Sequence, residues 1–288
     1  MEHRKGFLEN VRKKAPLVHN ITNYVTVNDC ANILLACGAS PIMADDIREV
    51  EDITSICSAL VINIGTLNER TVEAMIKAGK KANELRHPVI LDPVGAGASA
   101  FRTETAARLL KEISFTAIRG NISEIKTISR GFGSTKGVDA DAAYRITAGN
   151  LNEAAVFADE LARETKAVII ITGPIDLITD GHKAYAVRNG HPVMSRITGT
   201  GCMLTAVTGA FLAANPEKLT EAAASAVCTM GICGELAYEK MTETEGGTAS
   251  FRMHLIDFVS KIQEETITSR ARLSEIPICR KGVYNESK

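Results

Sequence analysis

The chain has 288 residues, 45% of them apolar and 23% charged, and carries a formal net charge of −1. A near-neutral chain has no broad positive field to gather nucleic acid or anionic lipid, so a phosphate ligand would have to be held by local geometry. The absence of tryptophan and an aromatic content of 5% also argue against a surface built for stacking bases.

Met1-Glu2-His3-Arg4-Lys5 is followed by no apolar run of the signal-peptide kind, and no stretch has transmembrane length, so a cytoplasmic protein is expected. Seven cysteines, at positions 30, 37, 57, 202, 228, 233 and 279, include no C-x-x-C pair. Most sit in apolar surroundings and are expected to act as small hydrophobes rather than as a disulfide framework or zinc site.

Short apolar runs alternate with longer helical patterns. Strands are expected at Leu17–His19, Pro41–Met43, Ala59–Ile64, Val89–Asp92, Ala117–Arg119 and Ala167–Thr172. Helices are expected at Tyr24–Cys37, Leu67–Leu85, Thr103–Ile113 and Asp139–Thr165. The β-branched run Val168-Ile169-Ile170-Ile171 suits a parallel strand covered on both faces. This alternation predicts an α/β fold, a mostly parallel central sheet with helices on both faces. Further on, Asp176–Thr179 and His182–Arg188 flank Asp180-Gly181, a two-residue turn pattern, which predicts an antiparallel hairpin at the sheet edge. From Thr200 to about Glu265 the pattern is helical, with Ala222-Ala223-Ala224 and Ala226 allowing close packing. Gly131–Gly137 is the loosest stretch and too short to divide domains, so residues 1–288 are expected to form a single domain.

In open α/β sheets ligands gather at the carboxyl ends of the strands. Asp92-Pro93-Val94-Gly95-Ala96-Gly97 puts a carboxylate and two glycines at such an end, either as a turn opener or as a close approach to a ligand. Arg119-Gly120-Asn121-Ile122-Ser123-Glu124 offers an arginine for phosphate oxygens. Its Asn121 and Glu124 fit a helix-starting capping box as well as a water-mediated magnesium site. The Thr172 hydroxyl could reach a phosphate or only cap its turn. Val18–Tyr24 is polar at a strand-to-helix junction, a wall for a small heteroaromatic ligand. Met43 offers a thioether that packs against rings or fills the core. Asp45 and Asp46 are open to metal binding, but Asp46 better fits a helix cap with Glu49 as its box partner.

The richest segment is Ile197-Thr198-Gly199-Thr200-Gly201-Cys202-Met203-Leu204. Glycines ahead of an apolar helical run aim backbone N–H groups and a positive helix end at one point, which favours an anion. A plain glycine-rich turn fits the same residues. Cys202 lies in the first helical turn, where a cysteine pKa is expected to fall and thiolate to be available near neutrality. The sequence contains no G-x-x-x-x-G-K-[ST], H-E-x-x-H or G-x-S-x-G motif and no full dinucleotide fingerprint.

Taken together, His19–Val25, Pro41–Ala44, Leu60–Leu67, Asp92–Ala96, Arg119–Asn121 with Glu124, and Thr198–Cys202 resemble the hydroxyethylthiazole kinase family of the ribokinase-like superfamily. They occur in family order between about residues 7 and 265. The resemblance implies a ribokinase-like three-layer sandwich. It implies transfer of the ATP γ-phosphate, with magnesium, to the hydroxyl of 4-methyl-5-(2-hydroxyethyl)thiazole, giving the thiazole phosphate used in thiamin synthesis. By matching position, Met43, the Gly199 backbone and Asn23 become thiazole contacts, and Arg119 and Thr172 ATP contacts. Asp92 and Glu124 become the acidic pair around magnesium, and Gly199, Thr200, Gly201 and Cys202 the phosphoryl-transfer loop. Thr200 stands where many relatives carry alanine, which leaves a backbone anion hole intact. The family's habit of forming homotrimers with sites at subunit interfaces implies that Asn23 and its neighbours serve an adjoining pocket. Cys202 disfavours the rivals, a hydroxymethylpyrimidine or pyridoxal kinase and a nucleotide-dependent hydrate dehydratase, which carry aspartate there.

Overall fold

The computed structural model describes residues 6–130 and 145–278. Its centre is a nine-stranded sheet: β1 (Leu17–Ile21), β2 (Ser40–Met43), β3 (Ala59–Asn63), β4 (Val89–Asp92), β5 (Ala117–Asn121), β6 (Val168–Thr172), β7 (Asp176–Thr179), β8 (Ala184–Val187) and β9 (Leu273–Ile276). The order is β2-β1-β3-β4-β5-β6-β7-β8-β9. Strands from β2 to β6 run parallel and the last three join antiparallel. Parallel strands need crossover helices, and these supply both covering layers.

One face is covered by α1 (Phe7–Lys14), α2 (Val27–Cys37), α8 (Thr200–Ala214), α9 (Leu219–Glu243), α10 (Thr248–Lys261) and α11 (Glu264–Arg270). The other is covered by α3 (Val50–Ile56), α4 (Glu69–Glu84), α5 (Ala100–Glu112), α6 (Ile122–Ser129) and α7 (Leu151–Thr165). The expected strands and helices are therefore present, with a few differences. The helix expected from Tyr24 begins at Val27, because Asn23 accepts from the Thr26 N–H and folds residues 24–26 into a turn. The helix expected from Asp139 begins at Leu151, its first six expected residues lying outside the described ones, as do Gly131–Gly137 and Cys279. Asp46 does not cap α3. It accepts from its neighbour Arg48, and Glu49 occupies the N-cap position without a side-chain bond. The β7–β8 connection is a four-residue loop rather than a two-residue turn, since Thr179 pairs with Ala184. Strand β9 then covers β8, so β9 forms the edge. No helix among the described residues is long and apolar enough to cross a membrane.

Helix α8 positions the site. Unlike a surface helix it is apolar all round, and Met203, Val207, Ala210, Phe211 and Leu212 are fully enclosed. Each large side chain so buried contributes about 1.5–3 kcal/mol. Gly209 lets α8 approach the sheet: a Cβ there would lie 2.9 Å from Val61 Cγ2. The start of α8 is thereby fixed over β1 and β3, between which the strand order reverses, the crevice that this topology offers a ligand.

Candidate active site

The amino end of α8 is bare. Gly199 is the N-cap with φ +90° and no side-chain cap, and a Cβ on it would sit 2.7 Å from Thr26 Cγ2. Glycine meets both demands. The first α-helical bond runs from Met203 N–H to the Gly199 carbonyl at 2.8 Å. The N–H groups of Thr200, Gly201 and Cys202 therefore have no acceptor within the helix and point ahead of it. Thr200 does not fill the gap, because its hydroxyl donates to the Met194 carbonyl at 3.1 Å.

Arg119 lies across this opening. Nη2 donates to Thr172 Oγ1 at 2.5 Å, and a Cβ on Gly201 would lie 2.5 Å from Nη1. The guanidinium is mostly buried, and its Nε has no acceptor among the described residues. Asp92, fully buried at the tip of β4, accepts at Oδ2 from Asn63 Nδ2 (2.9 Å) and Thr205 Oγ1 (2.8 Å). Its Oδ1 has no hydrogen-bond partner and stands 3.6 Å from Arg119 Nη1. Burial pushes the Asp92 carboxyl up to about 6. Arg119 opposes the rise and Glu124 adds to it.

Glu124 caps α6 as its spacing foretold. Its Oε2 accepts from Asn121 N–H at 2.8 Å, while Oε1 accepts from Gly95 N–H at 2.9 Å, tying the β4 loop to α6. The cap is compatible with a water-held cation, since each carboxylate oxygen keeps a second lone pair. Asp92 and Glu124 repel each other, and Asp92 Oδ1 is buried without a partner, a combination that a divalent cation relieves. No group of three His, Cys, Asp or Glu among the described residues could ligate a metal by itself. Water and phosphate oxygens would have to complete the shell, which suits magnesium.

Cys202 Sγ receives Nδ2 donors from Asn23 and Asn63, both at 3.3 Å. Its pKa is raised, not lowered as its place on the helix suggested. Burial dominates and Asp92 adds to it, outweighing the amide donors and Thr26. Asn23 also donates to Asn63 Oδ1 at 3.0 Å. Its carboxamide thus lies against this chain's own Cys202 and Asn63. Beside it Tyr24 and Val25 are 78% and 56% exposed. Met43 closes β2 at the same end of the sheet, paired with Asn20 and packed partly buried against the α8 side of the core.

The structure thus brings Asn23, Asp92, Arg119, Glu124, Thr172 and residues 199–202 to one end of the sheet. Sequence reasoning missed Asn63 and Thr205, which hold Asp92, and Asp176, which accepts from Gly173 N–H at 2.9 Å beside Arg119. It also missed Arg102, whose guanidinium donates to the carbonyls of Ile64, Gly65 and Val94 and so straps together the loops after β3 and β4. The only sequence signal for Asn63 was a polar residue closing an apolar strand.

A three-layer α/β sandwich of the ribokinase-like kind, with a bare helix end, a buried arginine and an acid pair at one sheet end, defines a phosphotransferase. The sequence model of the hydroxyethylthiazole kinase family matches residues 8–265. The chain is 60% identical over 268 residues to the hydroxyethylthiazole kinase of Clostridium acetobutylicum, covering 93% of this chain and 98% of that one. It is 54% identical to that of Clostridium beijerinckii, covering 94% and 96%. The structure of the hydroxyethylthiazole kinase protein from Pyrococcus horikoshii OT3 superposes with a TM-score of 0.85 at 39% identity, covering 96% of this chain and 100% of that one. The chain belongs to the hydroxyethylthiazole kinase family. The pyridoxal kinase of Staphylococcus aureus, at a TM-score of 0.55 and 18% identity over 76% of this chain and 87% of that one, shares the fold.

Proposed function

We propose that this chain transfers the γ-phosphoryl group of ATP to the hydroxyl of 4-methyl-5-(2-hydroxyethyl)thiazole, giving the phosphate used for thiamin phosphate synthesis. The observation that carries the reading is the closure of Arg119 onto the backbone of Gly201 at the bare end of α8. Phosphoryl transfer asks a protein for positioning and for neutralising charge on the oxygens in flight. The N–H groups of Thr200, Gly201 and Cys202 form the anion hole for the transferring group. Arg119, oriented by Thr172, draws on the outer phosphate oxygens of ATP. Asp92 and Glu124 would hold magnesium, directly or through water, and the ion would supply neutralisation of phosphate charge.

Met43, Gly199 and Asn23 line the thiazole side, with the alcohol delivered beside Cys202. A thiol whose pKa is raised is protonated at neutral pH, and its sulfur already accepts from two amides. Cys202 therefore positions the alcohol and is at most a modest base. A loose transition state tolerates this, because the attacking oxygen is deprotonated late. The chain works as a cytoplasmic homotrimer, the exposed Tyr24 and Val25 beside the site suiting an intersubunit contact.

Incubation with ATP, magnesium and the thiazole alcohol, with hydroxymethylpyrimidine and pyridoxal in parallel, tests the reading. Thiazole phosphate is the expected main product. Product from pyridoxal or the pyrimidine alone would overturn it. Light scattering checks the trimer.

A further inference from the structure

At the opposite end of the sheet, where β4, β5 and β6 begin, lies an open cavity of about 860 Å³. Its wall is formed by the ends of α4 and α7, the β7–β8 loop and the α8–α9 connection. That volume falls within the range of small-ligand sites, about 300–1,000 Å³. Five basic side chains line it, Arg86, Arg163, Lys166, Lys183 and Lys218, against the acids Asp180, Glu217 and Glu221.

Much of this charge is already spent. Lys183 pairs with Glu221 at 2.5 Å. Asp180 accepts from the Thr220 hydroxyl at 2.6 Å and from the His182 and Lys183 N–H groups. Arg163 is held by Asp159 at 3.3 Å and by the Gly181 carbonyl. Arg86, Lys166 and Lys218 remain, exposed and without an ion pair among the described residues, against the two carboxylates of Asp180 and Glu217, which no ion pair neutralises. The cavity therefore keeps a local positive excess in a chain that is nearly neutral overall.

Two of these cations occupy costly backbone positions. Arg86 has φ +58° just after α4, and Lys166, the C-cap of α7, has φ +56°. Glycine or asparagine fills such helix-ending positions with least strain. Complementing the helix dipole does not explain the choice, since Lys81 and Arg163 already supply the last turns of α4 and α7. Ala15 and Glu245 end other helices with the same backbone, but of these residues only Arg86 and Lys166 put a cation on one cavity, and strained positions cluster where ligands bind. Pro216 and Leu219 add an apolar wall.

We propose that this cavity binds a phosphorylated small molecule of nucleotide size. Its phosphates rest on Arg86, Lys166 and Lys218, and its organic part on Pro216 and Leu219. The site is separate from the active site, so it stands whether or not the kinase reading does.

Calorimetric titration of the full chain with ADP, and separately with pyrophosphate, at low ionic strength tests it. Wild type is expected to bind two ADP per chain. Arg119→Gln, which cripples the active site, keeps the cavity's ADP. The double variant Arg86→Gly/Lys166→Gly loses about tenfold or more of the affinity in that class while keeping turnover, and Lys218→Glu does likewise. The glycine variant should also melt higher than wild type, because glycine relieves the positive φ, so lost binding cannot be ascribed to misfolding. Pyrophosphate binding as tightly as ADP would show that the phosphates alone are recognised, and tighter ADP that the organic part contributes. One ADP per chain in wild type, or unchanged binding by the glycine variant, overturns the proposal. A chain that phosphorylates no alcohol yet binds ADP in the cavity would refute the kinase reading alone.

Discussion

Arg119 Nη1 stands 3.6 Å from Asp92 Oδ1, beyond hydrogen-bond length, although Asp92 is fully buried and Arg119 nearly so. Two buried opposite charges gain most by closing on each other. These two are kept apart because Thr172 holds the guanidinium from one side while Asn63 and Thr205 hold the carboxylate from the other. Each keeps an unused polar atom, Nε on the arginine and Oδ1 on the carboxylate, and the proposed phosphate and magnesium roles would use them.

Arg119→Lys tests the arginine's share. Lysine keeps the charge and loses the planar fork, so it cannot reach Thr172 and a phosphate oxygen together. The loss of one charge-assisted hydrogen bond, about 1.5–3 kcal/mol, lowers kcat/KM by about 10- to 100-fold, mainly through KM for ATP. Steady-state kinetics with the alcohol saturating measures this. A change confined to KM for the alcohol would refute the assignment of Arg119 to the nucleotide.

Gly201→Ala separates the anion hole from the fold. A Cβ there would meet the Arg119 guanidinium at 2.5 Å, and this neighbour is the end of a flexible side chain rather than backbone. Helix α8 accepts alanine at this position, so the melting temperature should hold or rise slightly. Arg119 must move instead, and kcat should fall at least tenfold. Unaltered kcat would show that the guanidinium need not stay against Gly201.

What was legible in the sequence was the set of strand tips. Asp92, Arg119 and Thr172 each close an apolar run, and in a parallel sheet such runs end on one side. Asn63, although it closes β3, and Thr205, inside the apolar α8, escaped because their part is to hold Asp92, contacts between residues 29 and 113 positions apart. Strand β9 escaped because Leu273-Ser274-Glu275-Ile276 is short and only half-buried, and gains its structure by pairing with β8. The thiol's pKa was misjudged for a related reason. The helix-end effect is visible in sequence, whereas the burial of the thiol and the nearby Asp92, which together outweigh the Asn23 and Asn63 donors, are made by the fold.

Asp176 carries a pH signature of its own. Burial pushes its carboxyl from the ordinary 3.8 up to about 7, against the Gly173 N–H and Arg119. Below about pH 3 the group is protonated in both folded and unfolded chains and costs nothing. As pH rises towards 7 the folded chain holds the extra proton, so stability declines, and above 7 the whole penalty is present. Asp176→Asn keeps the acceptor for Gly173 and removes the buried charge. It should raise stability by on the order of 4 kcal/mol at pH 8, the difference shrinking to a fraction of a kcal/mol near pH 4. Thermal unfolding at pH 4, 6 and 8 reads this out. A stability gain independent of pH would place its origin outside Asp176 ionisation.

Cys202 divides two roles at the acceptor alcohol. Were the thiolate the base, activity would climb with pH towards the raised thiol pKa, and removing the sulfur would lower kcat by up to about 10⁴-fold. Burial beside Asp92 keeps the thiol protonated at neutral pH, and Asn23 and Asn63 orient it by donating to the sulfur. The expected result is therefore a loss of about tenfold or less for Cys202→Ala between pH 7 and 8.5, with the shape of the pH–rate profile unchanged. A collapse by four orders of magnitude would make the thiol essential. Cys202→Asp completes the comparison. It puts a carboxylate near Asp92 and under two amide donors, in reach of the alcohol. If it turns over faster than the alanine variant, with a new acidic limb in the profile, then position 202 can act as a base, and the native enzyme gains its rate mainly from the anion hole and Arg119.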